Sequence, residues 1–241
     1  AIAIKPDYAE AYSNLGNVLR DLGKLQDAEF SYRKAIDIKP DFAEAHYNLG
    51  TILRDLGKSE EAKVATQKAI HLRPDFIKAH SNLGLIYRDL GRLEEAEIST
   101  QKAIHLNPES AELHSNLGLI FKDLGRLEEA EISTQKAIDL RPDFAEAYSN
   151  LGCILKDLGK SKEAEIVTLK AIKLNSTFAP AYSNLGSILR DLDNLREAEI
   201  ATRKAIKLDP NYAMAYNNLG TILSEIDNLK EAEIVTRKAI E

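Results

Sequence analysis

Three histidines, His46, His80 and His114, fall 34 residues apart, and regularly spaced imidazoles raise metal ligation and acid–base work first. The interval argues against both. Metal ligands must converge on one point, whereas these side chains are separated by whole repeating units, so they read as core or half-buried residues. His71 and His105 sit near helix C-termini, where a partial positive charge is favourable. Cys153 is the single cysteine, which leaves no disulfide within the chain and no cysteine metal cluster, and no obvious base accompanies it. Acidic pairs such as Glu60-Glu61 and Glu94-Glu95 suit the first turn of a helix. No HExxH, phosphate loop, dinucleotide fingerprint or nucleophile elbow occurs. The expectation is therefore no catalytic residue, no metal site and no cofactor. Asn175-Ser176-Thr177 matches a glycosylation acceptor, a weak three-residue pattern.

Binding chemistry is better represented. With each 34-residue period numbered from Ala9, Ala43, Ile77, Ala111, Ala145, Ala179 and Ala213, position 6 is Asn throughout: Asn14, Asn48, Asn82, Asn116, Asn150, Asn184 and Asn218. An amide donates and accepts, so such a ladder suits the backbone of an extended peptide; it equally suits hydrogen bonds between repeats. Position 12 supplies Arg20, Arg54, Arg88, Lys122, Lys156 and Arg190, ending at Ser224, and position 13 is acidic in every period. These charges read as mutually neutralising between repeats, the alternative being a basic stripe for acidic segments. Position 2 (Glu10, Glu44, Lys78, Glu112, Glu146, Pro180, Met214) and position 9 (Asn17, Thr51, Leu85, Leu119, Cys153, Ser187, Thr221) vary at fixed geometry, as ligand-tuning positions would.

The elements that must position these residues follow from the same period. All 12 glycines and six of the seven prolines keep the 34-residue spacing, which marks a repeat array and disfavours a globular enzyme. Apolar residues at positions 3, 7, 10, 11 and 14 make a helical stripe, helix A, ended at position 15 by Gly23, Gly57, Gly91, Gly125 and Gly159. Asp193 and Asp227 replace glycine there in the last two periods, predicting less favourable turns. Helix B carries Ala at 20 and 27, Ile at 28 and Leu or Ile at 30, and stops before the proline at 32. Glycine at position 8, inside helix A, predicts close approach of helix B.

One apolar line lies off this stripe. Position 22 points about 170° from the centre of the helix B stripe. It is nevertheless apolar in every period: Phe30, Val64, Ile98, Ile132, Ile166, Ile200 and Ile234. The expectation is an outer contact ladder, for self-association or docking to another domain, the alternative being burial through local twist. The remaining totals exclude broad classes. A net charge of −6 gives no support to nucleic acid as a main partner, and 29% charged with 44% hydrophobic residues describes a folded protein. No apolar run approaches the ~20 residues that span a bilayer, so no membrane insertion is expected; the expected location is cytoplasmic.

The chain resembles the tetratricopeptide repeat family. Tyr12, Leu15, Gly16, Leu19, Ala28, Tyr32, Ala35 and Pro40 carry the pattern in the first period, and the register continues to the C-terminus. The resemblance implies an all-α fold: a right-handed superhelix, or solenoid, of about seven 34-residue helix-turn-helix repeats, with helix A lining a concave groove and helix B facing outward. The repeats are expected at 9–42, 43–76, 77–110, 111–144, 145–178, 179–212 and an incomplete 213–241, with 1–8 ending a preceding repeat, so the chain reads as a segment of a longer array. The repeats are also similar to bacterial, especially cyanobacterial, arrays and to the superhelix of O-linked N-acetylglucosamine transferases, whose concave asparagine ladder binds substrate backbone. Departures are clear: the aromatic at position 24 survives only as Tyr32, with Thr66, Thr100, Thr134, Thr168, Thr202 and Thr236 elsewhere. Asn17 and Asn48 match the carboxylate clamp of chaperone-binding relatives, but Ser13 replaces its first lysine and Asn82 follows Lys78 where a base is wanted, which argues against that mode. The resemblance thus implies a non-catalytic scaffold for peptide or protein. The alternatives are the substrate-recruiting arm of a larger enzyme such as a glycosyltransferase, or a self-assembly module joining head to tail or laterally.

Overall fold

A computed structural model describes residues 8–240. The expected end of a preceding repeat, 1–8, and Glu241 of the incomplete last repeat lie outside the described residues, apart from Tyr8, which stands at the N-cap of the first helix. The described residues form helices and turns only, in two compact units, one running to Leu113 and the other starting at His114. The first unit contains α1 (Ala9–Asp21), α2 (Leu25–Ile38), α3 (Ala43–Asp55), α4 (Ser59–Leu72), α5 (Ile77–Asp89) and α6 (Leu93–Leu106). The boundary falls within α7 (Ala111–Asp123). The second unit continues with α8 (Leu127–Leu140), α9 (Ala145–Asp157), α10 (Ser161–Leu174), α11 (Ala179–Asp191), α12 (Leu195–Leu208), α13 (Ala213–Glu225) and α14 (Leu229–Lys238). Odd-numbered helices are the A helices of the sequence pattern and even-numbered ones the B helices.

Each pair is an antiparallel hairpin because the A helix ends abruptly. At the end of α1 the amide of Gly23 donates to Arg20 O at 2.9 Å and that of Lys24 to Leu19 O at 2.9 Å, the two bonds of a Schellman closure. That closure needs a left-handed residue, and Gly23 has φ 72°. Asp193 and Asp227 adopt the same conformation at φ 62° and 63°, where a Cβ is penalised. Lys24 then serves as N-cap of α2, its carbonyl accepting from Ala28 N at 3.0 Å. The B helix ends before proline in a turn: Phe42 N donates to Lys39 O at 3.1 Å, with Pro40 in the position where its fixed φ is favoured.

Packing follows the small residues. Ala28, Ala62, Ala96, Ala130, Ala164, Ala198 and Ala205 have no exposed surface, and Leu49, Ile52 and Leu53 of α3 close the core against α4. The glycine at position 8 faces position 24 of its own B helix. A Cβ on Gly16 would lie 2.6 Å from the ring of Tyr32, and in the following repeats it would strike a threonine hydroxyl, with the backbone carbonyl of Ala62 only 3.2 Å from the corresponding point on Gly50. The replacement of the aromatic by Thr therefore leaves this contact as tight as Tyr32 does, and the loss of helix propensity at glycine, about 1 kcal/mol, is offset by close backbone packing. Within each unit neighbouring A helices touch, α3 on α5 and α11 on both α9 and α13, and each B helix packs against the A helix that follows it.

Candidate functional site

The position 6 asparagines lie on the A helices and join successive repeats. In the second unit Asn150 Nδ2 donates to Ser115 Oγ at 3.1 Å, Asn184 Nδ2 to Ser149 Oγ at 3.0 Å and Asn218 Nδ2 to Ser183 Oγ at 3.0 Å. These serines are buried at position 5 of the preceding repeat. In the repeat that precedes Asn82, position 5 is Tyr47 and not Ser. Asn82, buried, instead donates to Thr66 Oγ1 at 3.3 Å and accepts from Arg54 Nη1 at 3.4 Å. Asn48 donates to Asn17 Oδ1 at 3.4 Å, and that oxygen also accepts from the Tyr32 hydroxyl at 2.8 Å. Burial pushes the Tyr32 phenol up to about 12, so it remains a donor. Asn14 is exposed on α1 and Asn116 half-buried on α7. The serine partners escape sequence reading because the paired residues are 35 apart and no helical periodicity links them.

The position 12 bases meet the acids at position 13, largely across repeats. Arg54 Nε lies 2.8 Å from Asp89, Lys122 3.2 Å from Asp157, Lys156 3.9 Å from Asp191 and Arg190 3.8 Å from Glu225. Arg20 and Arg190 also touch their own neighbours, Asp21 at 3.2 Å and Asp191 at 3.0 Å; Arg88 is half-buried on α5. Burial pulls the Lys122 ammonium down, but Cys153, Asp157 and Asp123 outweigh it and leave the group raised. Burial likewise raises the Cys153 thiol, with Lys122 acting in the opposite direction.

The position 4 side chains tie the preceding loop to helix A. The His46 Nε2 lies 2.9 Å from Pro40 O, His80 Nε2 2.8 Å from Pro74 O, and the Tyr182 hydroxyl donates to Ser176 O at 3.3 Å. His114 is half-buried on α7. Among the described residues no group of three or more His, Cys, Asp or Glu is placed to hold a metal ion.

Two clefts open on the A-helix face of the first unit. One, of about 560 Å³, lies between α3, α5 and the start of α7, with Thr51, Arg54, Ser81, Asn82, Leu85 and Leu113 in its walls. The other, of about 520 Å³, is bounded by Glu44, Asn48, Arg73 and Phe76. Tyr47, Ile77 and Lys78 border both. Tyr47 and Phe76 meet with centroids 5.0 Å apart, and the Arg73 guanidinium stacks 3.5 Å over Phe76, giving the divide a fixed aromatic wall. Charge is distinctive at position 2. Glu10 is held by Lys39 at 3.3 Å and Glu44 by Arg73 at 2.7 Å, whereas the third repeat places the exposed Lys78 there with Asn107 where the base would be.

The outer ladder is open to solvent. Phe30, Val64, Ile98, Ile132, Ile166, Ile200 and Ile234 are between 59% and 71% exposed, so local twist does not bury them.

Comparison with known proteins agrees with this geometry. A family model described as TPR repeat matches residues 16–53, 84–125 and 118–159, and models described as tetratricopeptide repeat match 43–76, 145–178, 179–212 and 201–234. No curated protein sequence matches. A tetratricopeptide repeat protein from Parabacteroides merdae ATCC 43184 is similar in structure, with TM-score 0.79 and 23% identity over 96% of this chain and 91% of that one. The APC/C hetero-tetramer Cut9-Hcn1 matches with TM-score 0.80 and 19% identity over 92% of this chain, which spans only 44% of that chain. YrrB, a TPR protein with an unusual peptide-binding site, matches with TM-score 0.53 and 24% identity over 76% of this chain and 95% of its own. No helix among the described residues is long and apolar enough to cross a membrane. The chain belongs to the tetratricopeptide repeat family, whose fold generally serves as a non-catalytic scaffold for protein interactions.

Proposed function

We propose that the protein binds an extended peptide segment across the A-helix face of its first unit, with an acidic group of the peptide at Lys78. The observation that carries this reading is the pair of clefts that share Tyr47, Ile77 and Lys78. Ile77, Leu85 and Leu113 offer apolar surface, Ser81 and Thr51 offer hydroxyls, and Lys78 is a cation with no ion-pair partner among the described residues. Among the basic side chains of the walls Arg54 is already engaged by Asp89 and Asn82 and Arg73 by Glu44, so Lys78 is the cation left for a ligand, with the carboxylates of Asp75 and Glu112 also in the walls. Asn48 and Asn82 act as supports for this surface: their Nδ2 donors hold the neighbouring repeat, and Arg54 on α3 donates to Asn82 on α5, which fixes the spacing of the A helices that frame the clefts. A peptide-binding site is named for YrrB, so the reading stays within what this fold accommodates.

The test is a peptide array of segments of about 12 residues, long enough when extended to cross roughly 40 Å. Segments combining apolar and acidic residues are expected to retain the protein, and their basic counterparts to lose it. Retention without charge preference, or no retention at all, would overturn the assignment.

A further inference from the structure

The B-helix face of the first unit carries its own pattern of charge. Phe30 on α2, Val64 on α4 and Ile98 on α6 are 61%, 63% and 67% exposed. One turn toward the N-terminus of each helix, three and four residues before the apolar side chain, stand Asp27, Glu60, Glu61, Glu94 and Glu95, with Gln26 beside Asp27. One turn toward the C-terminus stand Arg33, Lys34, Lys68 and Lys102. Residues three and four apart share a helix face, so an acidic row, an apolar row and a basic row cross the three helices side by side. Asp27, Glu94, Lys68 and Lys102 have no ion-pair partner among the described residues, whereas Glu61 is held by Arg33 at 2.7 Å, Lys34 by Asp37 at 3.7 Å, Glu60 by Lys63 and Glu95 by Arg92.

We propose that this face is the contact for a second copy of the chain, related by a two-fold axis parallel to the apolar row. Rotation about that axis keeps the order of the helices and exchanges the two charged rows, so each acidic row meets a basic one while Phe30, Val64 and Ile98 meet their own counterparts. A two-fold axis along the helices instead sets acid against acid, and like charges across an interface are strongly unfavourable. The face is thus complementary to itself in one arrangement, as an isologous dimer requires. In the second unit α8 keeps the pattern, with Glu128 and Glu129 before Ile132 and Lys136 after it, and the B helices that follow break it. There Lys162, Arg196 and Lys230 stand beside Glu163, Glu197 and Glu231 in the row that carries no base in α2, α4, α6 and α8, so the row before Ile166, Ile200 and Ile234 is of mixed charge. Dimer contact is therefore assigned to the first unit, all three of whose B helices carry the pattern unbroken, and the apolar line alone does not confer it.

The test is sedimentation of the whole chain and of two exposed-surface variants, Glu60→Lys with Glu94→Lys, and Lys68→Glu with Lys102→Glu, each checked for native helicity by circular dichroism. The wild type is expected to sediment at twice the chain mass and each variant at the chain mass, while an equimolar mixture of the two variants returns to twice the mass. An Ile166→Ser, Ile200→Ser control in the second unit is expected to remain dimeric. A monomeric wild type, including one whose B-helix face takes up a different protein, overturns the proposal. So does a dimer that survives both charge reversals, or a mixture that stays monomeric.

Discussion

At the scale of single residues, the asparagines show how one side-chain type at one repeat position takes different partners. Asn184 reaches Ser149 Oγ at 3.0 Å and its carbonyl at 3.3 Å, while Asn82, next to a repeat whose position 5 is Tyr47, turns to Thr66. Truncating Asn184 to Ala leaves the buried Ser149 without that donor and is expected to lower stability by about 1 kcal/mol, read from chemical denaturation, with peptide binding in the first unit unchanged. Loss of binding without loss of stability would contradict the supporting role. The presence of an amide at every period was legible in the sequence; its direction was not. A hydrogen bond between residues 35 apart depends on the rise from one repeat to the next, which no pattern within a helix encodes.

At the scale of elements, the turns and helix contacts were the most legible part, because glycine and proline act on the backbone locally. Gly23, Gly57, Gly91, Gly125 and Gly159 all take positive φ, and so do their aspartate replacements Asp193 and Asp227. Exchanging Asp193 for Gly removes the left-handed strain and is expected to stabilise the protein by roughly 0.5–1 kcal/mol, visible as a higher melting temperature; no gain would mean the aspartate makes a compensating contact. The B helices are joined by charge as well. Glu29 on α2 accepts from Lys58 at 2.8 Å and pairs with Arg33 at 2.9 Å. The Lys58 hydrogen bond, followed by burial acting the other way and then Arg33, holds its carboxyl below the ordinary 4.5. A depressed folded value contributes stability above the unfolded pKa and loses it as pH falls through the folded value. Glu29→Gln is therefore expected to flatten the pH dependence of the melting temperature below pH 4.5, and an unchanged acid limb would show that the pair contributes nothing.

For the molecule as a whole, the period assigned the fold, and the exposed apolar line at position 22 was visible from helical geometry alone. The clefts were not. They depend on Tyr47 standing where five other repeats place Ser, on its packing against Phe76, and on Lys78 entering a row that is glutamate in its two predecessors. Each is an ordinary substitution in sequence and acquires meaning only when α3 and α5 are side by side. The central claim is that this surface of the first unit, with Lys78, receives an acidic extended peptide. Fluorescence anisotropy titration of an array-selected acidic peptide against the wild type, Lys78→Glu and the B-face variant Lys68→Glu tests it most directly. Lys78→Glu is expected to weaken binding about tenfold or more, equivalent to ~1.4 kcal/mol, and Lys68→Glu to leave it unchanged. Equal affinity of the wild type and Lys78→Glu would contradict the claim.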